Sequence, residues 1–136
     1  MGPRAMAEKV LSGTDVAFLA TCDGDQPRVR PVNYAMREGL HLWIASYTFW
    51  GKVGQLRRNS KVEVVVMLDS GAHVRIVGHG HIRDSENDRR RVWEAFPLMQ
   101  RFFKDPADPD YTLIEVVPEE VGVKDAWKLE YQQVPL

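Results

Sequence analysis

Cysteine is nearly absent from this sequence, which has Cys22 as the only thiol among its 136 residues. One thiol cannot form a disulfide within the chain, so the fold must depend on its core, as is usual in a reducing compartment. Long apolar runs are absent too, since no stretch approaches the roughly 20 residues that a transmembrane helix needs. The N-terminus shows no signal-peptide pattern. We therefore expect a cytoplasmic protein without a membrane partner, in which Cys22 is a buried structural thiol.

An excess of charge of either sign is also missing. The formal net charge is -1 although 27% of the residues are charged, and the isoelectric point is about 6.4. Such a balance provides no basic surface for nucleic acid. With 44% hydrophobic residues, the length fits one domain, residues 1–136, with a substantial core. The short run of arginines at 89–91 is interpreted as the solvated face of an amphipathic helix.

The sequence contains none of the common catalytic motifs: no nucleophile elbow, no P-loop and no dinucleotide-binding glycine pattern. His79 and His81 form an H-x-H pair on a predicted strand face that also carries His73. Imidazole nitrogens in this arrangement can bind a metal ion, but no third or fourth ligand is evident. We predict no metal site and interpret the pair as surface histidines, with haem ligation as the alternative.

Hydrophobic periodicity predicts seven strands joined mostly by short turns, which implies antiparallel pairing. The predicted strands are 15–22, 28–35, 40–46, 61–68, 73–83, 111–117 and 121–131, with a turn at 118–120. Helices are predicted at 4–11, 50–58 and 85–103, with Ser85 as N-cap and Pro97 as a break or kink. Two glycines in strand 73–83 indicate sharp curvature. A β-barrel with flanking helices is therefore predicted, and an open α+β or ferredoxin-like sheet is the alternative.

The segment 46–52 lies where a strand passes into a helix. A helix start presents unpaired N–H groups and the positive end of the helix dipole, which attract phosphate. Ser46 and Thr48 can add hydroxyl donors and Lys52 a positive charge, while Arg28 and Arg30 of a neighbouring strand can complete the site. The alternative is an ordinary helix cap beside a solvated lysine.

Aromatic side chains surround the same segment. Tyr34, Trp43, Tyr47 and Trp50 are candidates for the walls of a pocket for a planar ring. Aromatic residues of a small barrel more often belong to the core, and composition alone favours that interpretation.

The order of several residues nevertheless points to a known family. Arg30-Pro31-Val32 is followed sixteen residues later by Ser46, and then by Lys52, Gln55-Leu56 and Asn59. This spacing, together with the valine-rich strand at 62–66, resembles the pyridoxamine 5'-phosphate oxidase-like family of FMN-binding split barrels. The resemblance extends over roughly residues 8–125. It implies a mainly β fold, a six- to seven-stranded antiparallel split barrel, with FMN held at a homodimer interface.

The resemblance also implies a set of cofactor-binding residues: Arg30, Pro31, Val32, Asn33, Ser46, Tyr47, Thr48, Lys52 and His73. In this scheme Arg30 and Lys52 bind the FMN phosphate, and the backbone of 31–33 lines the isoalloxazine ring. Ser46 stands where the family has a threonine near the phosphate or ribityl chain. His73 stands where the oxidases have a glutamine that reaches the flavin across the dimer interface.

Some positions depart from the oxidases of that family. Ala35 and Gly51 stand where the oxidases carry a lysine and an arginine, and no C-terminal substrate-binding segment is recognisable. These departures indicate an oxidoreductase for a small molecule other than pyridoxamine phosphate. The flavin would supply the redox chemistry, which is consistent with the missing catalytic motif. Relatives of the fold bind the deazaflavin F420 or haem, so these cofactors and a non-catalytic flavin-binding or stress-response role are the alternatives.

Overall fold

The computed structural model describes all 136 residues. Its strands are β1 Val16–Asp23, β2 Gln26–Glu38, β3 His41–Tyr47, β4 Lys61–Met67, β5 His73–Ile82, β6 Tyr111–Lys124 and β7 Gln132–Gln133. Its helices are α1 Pro3–Ser12, α2 Gly51–Arg58 and α3 Glu86–Ala95, followed by a 3₁₀ helix at Pro97–Arg101. None of these helices is both long and apolar enough to cross a membrane.

The sheet closes on itself. Its strand order is β3-β2-β1-β4-β5-β6, and β3 also pairs with β6, so six antiparallel strands form a closed barrel. Closure removes the exposed edges that an open sheet would present. The short β7 adds to β6 outside this ring. The predicted barrel is thus confirmed, and the open-sheet alternative is wrong.

The core fills the barrel with alternate side chains of the strands, because successive residues of a strand point to opposite faces. Leu19, Val64 and Ile76 are completely buried. Helix α1 packs against β4, β5 and β6 and adds Ala7, Val10 and Leu11 to the same cluster.

The predicted turn at 118–120 and the predicted strand 121–131 are wrong. β6 runs without interruption to Lys124, and a β-bulge at Glu119 takes the place of the turn: Val77 pairs with Glu120 and Gly78 with Pro118. A Cβ atom on Gly78 would lie 2.1 Å from the carbonyl oxygen of Val117, so the bulge requires glycine here. A bulge tolerates proline and bends the strand, which suits a closed barrel.

The predicted helix 85–103 is interrupted near Pro97. Ser85 is confirmed as the N-cap, since its hydroxyl accepts the backbone N–H of Asp88 at 3.1 Å. The α-helix ends at Ala95, because proline disfavours helical geometry in the residue before it. The chain then continues as the 3₁₀ helix. The apolar side chains of the segment 96–103 line a cavity beside β3.

The solvent exposure of the arginines at 89–91 and of Cys22 also differs from the prediction. Of the three arginines, only Arg90 is fully solvated. Arg89 donates hydrogen bonds to the carbonyl oxygens of Pro106, Asp108 and Tyr111 and so fixes the loop before β6. Cys22 is half-buried rather than buried.

Candidate functional site

A cavity of about 330 Å³ opens beside the barrel. It is lined by β2, the end of β3, the first turn of α2 and residues 96–103, and nine of its thirteen lining residues are hydrophobic. This volume lies at the lower end of the range for small-molecule pockets. An apolar wall with few polar groups suits a largely planar organic ligand.

Tyr47 is the centre of the aromatic wall. Its ring centroid lies 5.0 Å from those of Trp50 and Phe103, 5.1 Å from that of Phe49 and 6.5 Å from that of Phe102. Trp50, Phe102 and Phe103 line the cavity together with Tyr47. The prediction of a core role is therefore wrong for Trp50, which is 49% exposed, whereas Tyr47 both lines the cavity and packs against the smaller core cluster.

The other two aromatic candidates do belong to the core. Trp43 is 3% exposed and Tyr34 is 6% exposed. The indole N–H of Trp43 donates to Glu38, and the hydroxyl of Tyr34 donates to the carbonyl oxygen of Leu11 at 2.6 Å.

Lys52 is the only cation that lines the cavity. It is the second residue of α2, and only 6% of it is exposed. It forms no hydrogen bond or salt bridge, although Nζ lies 4.4 Å from the centroid of the Trp50 ring. Nζ keeps some contact with solvent. Because Lys52 lines the cavity, this contact is made through the cavity. Burial, with a further contribution from Arg30, lowers the pKa of Lys52 to about 8.

Arg30 lies next to Lys52 and is held in place by uncharged groups. It donates to the hydroxyl of Thr21 at 2.7 Å and to the side-chain oxygen of Gln55 at 2.8 Å. Thr21 also donates to Gln55 at 2.6 Å. No carboxylate forms a salt bridge with Arg30, and burial lowers its pKa, with the charge of Arg28 adding to the effect.

The start of α2 adds to this positive potential. Its N-cap residue, Trp50, supplies no side-chain acceptor. The first N–H groups of a helix have no partner within the helix, and the helix dipole places partial positive charge there. Two neighbouring cations without an acidic partner, close to such a helix start, create a positive potential that can attract an anion.

The structure brings five of the predicted site residues to the cavity: Pro31, Val32, Asn33, Tyr47 and Lys52. Arg30 does not line the cavity itself, but it is close enough to Lys52 for its charge to lower the pKa of Lys52. Arg28, the other arginine suggested for this site, instead forms a salt bridge with Asp23 at 3.2 Å on the exposed surface.

The hydroxyls of Ser46 and Thr48 are engaged within the chain. Ser46 is 1% exposed and donates to the carbonyl oxygen of Tyr47 at 3.0 Å. Thr48 donates to the carbonyl oxygen of Pro109 and contacts the Thr112 hydroxyl, both at 2.8 Å. The two contacts of Thr48 attach the end of β3 to the start of β6 and so position the cavity wall, whereas the Ser46 bond stays within β3.

His73 does not line the cavity of its own chain. At the start of β5, its Nδ1 lies 2.8 Å from the carbonyl oxygen of Gly71 and its Nε2 lies 2.6 Å from the Tyr131 hydroxyl. A role for His73 across a dimer interface stays a prediction.

Thr21 and the residues of the 3₁₀ helix were not predicted from the sequence to lie near the site, and Gln55 was named only for its spacing, without a role. Thr21 carried a signal, because it continues the inward-facing series of Ala17 and Leu19 and is a polar residue at a buried strand position. Gln55 lies three residues after Lys52, on the same side of a helix. Nothing in the local sequence places 96–103 beside β3.

The histidine pair has internal partners. His79 Nδ1 lies 2.7 Å from the hydroxyl of Ser60, and its Nε2 forms a salt bridge with Glu119. The rings of His79 and His81 are stacked 5.7 Å apart. No group of three or more His, Cys, Asp or Glu side chains lies close enough together to hold a metal ion.

Comparison with known proteins places the chain in a family. A family model described as pyridoxamine 5'-phosphate oxidase matches residues 4–125. The chain belongs to this family. Within the pyridoxamine 5'-phosphate oxidase family, it is similar to General stress protein 26 of Bacillus subtilis strain 168, with 23% identity over 133 residues that cover 93% of each chain. The resemblance inferred from the sequence is confirmed.

Solved structures agree with this membership of the pyridoxamine 5'-phosphate oxidase family. A NimC/NimA family protein from Clostridium acetobutylicum has a TM-score of 0.81 and 26% identity, covering 96% of this chain and 90% of that one. An FAD-binding protein from Mesorhizobium loti has a TM-score of 0.68 and 23% identity over 89% of this chain and 91% of that one. A haem-binding protein from Mycobacterium smegmatis has a TM-score of 0.80 and 14% identity over 98% of this chain and 59% of that one. The last two likenesses show the shared fold alone.

Proposed function

We propose that the protein binds FMN in the cavity beside Lys52 and acts as an FMN-dependent oxidoreductase on a small molecule. The observation that carries this proposal is the side chain of Lys52, which is almost buried and whose ammonium group has no anionic partner. A buried charge is costly unless it is paired. A phosphate group would supply the missing charge.

The site suits both ends of a flavin mononucleotide. Lys52, Arg30 and the start of α2 match a phosphate, and the aromatic wall around Tyr47 and Trp50 matches a planar ring. When bound, FMN supplies hydride and electron transfer. The protein's own residues bind the phosphate, orient the ring and exclude water from one side of it.

The substrate proposed here is not pyridoxamine phosphate. Ala35 and Gly51 provide no cation where the oxidases of the family carry lysine and arginine. The lining of the cavity includes the apolar side chains of Phe96, Leu98, Met99 and Phe102. Such a surface favours an apolar or aromatic small molecule over a second phosphate ester.

We also propose a homodimer, supported by an exposed apolar surface that we name the outer sheet face. It comprises the outward side chains Val16, Phe18, Val29, Pro31 and Met67 of β1, β2 and β4. Phe18 is the centre, paired with Pro31 on one side and Val65 on the other. Contiguous exposed apolar surface of this kind marks an interaction site. Pro31 also lines the cavity, so the proposed interface and the cavity are continuous.

The first experiment measures cofactor retention. Purified protein is incubated with FMN and desalted, and its absorption spectrum is recorded for the wild type, Lys52→Met and Lys9→Met. The wild type should retain the flavin bands, and Lys52→Met should bind FMN roughly 10- to 150-fold more weakly, the range for one charge-assisted hydrogen bond. Lys9 is an exposed lysine on α1 that does not line the cavity, so Lys9→Met should bind FMN like the wild type.

Other spectra would contradict the proposal in distinct ways. A colourless protein that binds F420 instead, or one with a sharp Soret band, would replace FMN with the deazaflavin or with haem. If FMN is retained but no electron donor and acceptor pair gives turnover, the protein is a flavin-binding module rather than an oxidoreductase. Equal FMN affinity of the wild type and Lys52→Met would remove Lys52 from the site.

The second experiment measures oligomeric state by sedimentation. The wild type should sediment as a dimer, and Phe18→Asp should sediment as a monomer because it places a charge in the centre of the outer sheet face. Leu136→Asp is the matched control, since Leu136 is also exposed, at 65%, but lies at the C-terminus outside this face. A dimeric Phe18→Asp variant would exclude the outer sheet face as the interface.

A further inference from the structure

Lys52 brings the only amine into the cavity, since none of the other lysines lines it. Its Nζ forms no hydrogen bond or salt bridge and lies 4.4 Å from the centroid of the Trp50 ring. Asp15 and Tyr47 are the other ionisable residues of the lining, and neither pairs with this nitrogen. The amine of Lys52 is therefore free to react with a molecule that enters the cavity.

An amine is a nucleophile only in its uncharged form. Burial of the side chain and the nearby charge of Arg30 both favour that form, and they lower the pKa of Lys52 to about 8. At pH 7 about one-tenth of the amine is then uncharged, roughly 300 times the fraction for a lysine with the ordinary pKa of 10.5. Desolvation in an apolar pocket and a neighbouring cation are two ways in which proteins activate a lysine for covalent chemistry.

The cavity walls indicate which reaction partner fits. Nine of the thirteen lining residues are hydrophobic, and Tyr47, Trp50 and Phe102 supply aromatic surface. A small molecule with a flat or apolar body packs against such walls. Its reactive carbon must be open to an amine, as the carbonyl carbon of an aldehyde is. The apolar surroundings also favour reactions that release water from the site.

We propose that Lys52 forms an imine with small aromatic or apolar aldehydes when no FMN occupies the cavity. The uncharged amine attacks the carbonyl carbon of the aldehyde and gives a carbinolamine. The carbinolamine oxygen and the two amine hydrogens are then accounted for by loss of one water molecule, which leaves a C=N bond to Nζ. No atom is oxidised or reduced, and hydrolysis reverses the reaction. The cavity is thus a reversible site for carbonyl compounds, for which the phosphate of FMN competes at Lys52.

Trapping of the imine with a hydride donor tests the proposal. Cofactor-free protein is incubated at pH 7 with benzaldehyde and sodium cyanoborohydride, which adds hydride to the imine carbon and leaves a benzyl group on the amine. Peptide mapping by mass spectrometry locates each benzyl group. Lys52→Arg keeps the positive charge but removes the nucleophile, and Lys9→Arg makes the same change at an exposed lysine on α1.

The wild type and Lys9→Arg should be labelled at Lys52 roughly 10- to 100-fold faster than at any exposed lysine, because a larger fraction of this amine is uncharged. Lys52→Arg should show only the slow labelling of exposed lysines. In the wild type, the ratio of labelling at Lys52 to labelling at Lys9 should be greatest below pH 8 and fall towards pH 10.5. Glyceraldehyde, which has no apolar body, should show little preference for Lys52.

Equal labelling of Lys52 and the exposed lysines would overturn this inference, and retention of FMN by the same preparation would leave the proposed function intact. Selective labelling in a protein that binds no FMN would support the inference and overturn the proposed cofactor. If both hold, saturating FMN should suppress labelling at Lys52 alone, and unchanged labelling would overturn the competition. The peptide map of the wild type decides between these outcomes even if Lys52→Arg folds poorly.

Discussion

Replacing Lys52 with methionine should make the protein without cofactor more stable, although it weakens cofactor binding. Lys52 is almost buried, has no anionic partner and lies near Arg30. Methionine keeps the packing of an unbranched side chain and removes the charge. We therefore expect the charge of Lys52 to lower the stability of the cofactor-free wild-type protein.

The magnitude follows from the pKa of Lys52. Its decrease from 10.5 to about 8 corresponds to a destabilisation of about 3 kcal/mol at neutral pH. We take about half of this value, because Nζ retains contact with solvent. Loss of the contact with the Trp50 ring removes a further 0.5 kcal/mol or so. The variant should therefore be more stable by about 1 kcal/mol, which raises Tm by roughly 2–5 °C.

The pH dependence of the stability difference between the wild type and Lys52→Met gives the sign of the effect independently. Between pH 8 and 10.5 the unfolded chain binds more protons at Lys52 than the folded chain does, so the unfavourable contribution of Lys52 to stability decreases as the pH rises through this range. The advantage of Lys52→Met should be greatest below pH 8 and vanish near pH 10.5.

Urea unfolding of cofactor-free wild type, Lys52→Met and Lys9→Met at pH 7 and pH 10, at one protein concentration, provides the measurement. Lys9→Met should stay within about 0.5 kcal/mol of the wild type. A Lys52→Met variant less stable than the wild type at pH 7 would refute the reasoning, because the lysine would then have a stabilising partner.

Three further predictions concern the site and the scaffold. FMN should bind more weakly as pH rises above about 8, because the phosphate requires the charged form of Lys52; titrations at pH 7 and 9 with equal affinity would contradict this. Gly78→Ala should destabilise by more than about 2 kcal/mol, because its Cβ would meet the Val117 carbonyl, whereas Gly54→Ala in α2 should be neutral or stabilising in the same urea assay. Ser85→Ala should cost about 1 kcal/mol through loss of the α3 cap, and thermal unfolding measures it.

Local sequence signals were sufficient to predict the position of most strands of the barrel. Hydrophobic patterning located β1 to β5 to within two or three residues, and strands such as β1 and β5 alternate because one face lies in the core and the other faces outward. The cap at Ser85 and the break at Pro97 were also readable, since both depend on the chemistry of a single residue. β6 was divided wrongly because Pro118-Glu119-Glu120 has the composition of a turn. What makes it a bulge is its pairing with Gly78, which is not local.

The same limit applies to the site. Lys52 and Arg30 were identified from their order along the chain, but their lack of an acidic partner is a property of the folded protein. The segment 96–103 reaches the cavity through the 3₁₀ helix, and Arg89 fixes the loop that follows this segment. Local periodicity contains no information on such contacts between distant segments.

The bulge in β6 also influences the far end of the helix that carries Lys52. Glu119 contacts His79, whose Nδ1 lies 2.7 Å from the hydroxyl of Ser60, two residues beyond α2. The backbone N–H of Gly80 donates to the carbonyl oxygen of Ser60 at 2.8 Å. Helix α2 is thus anchored at its C-terminal end through a strand irregularity nearly sixty residues later in the chain. A change at Glu119 would release the His79 ring that meets Ser60, and the backbone bond from Gly80 would then remain to hold the chain just beyond the helix that carries Lys52.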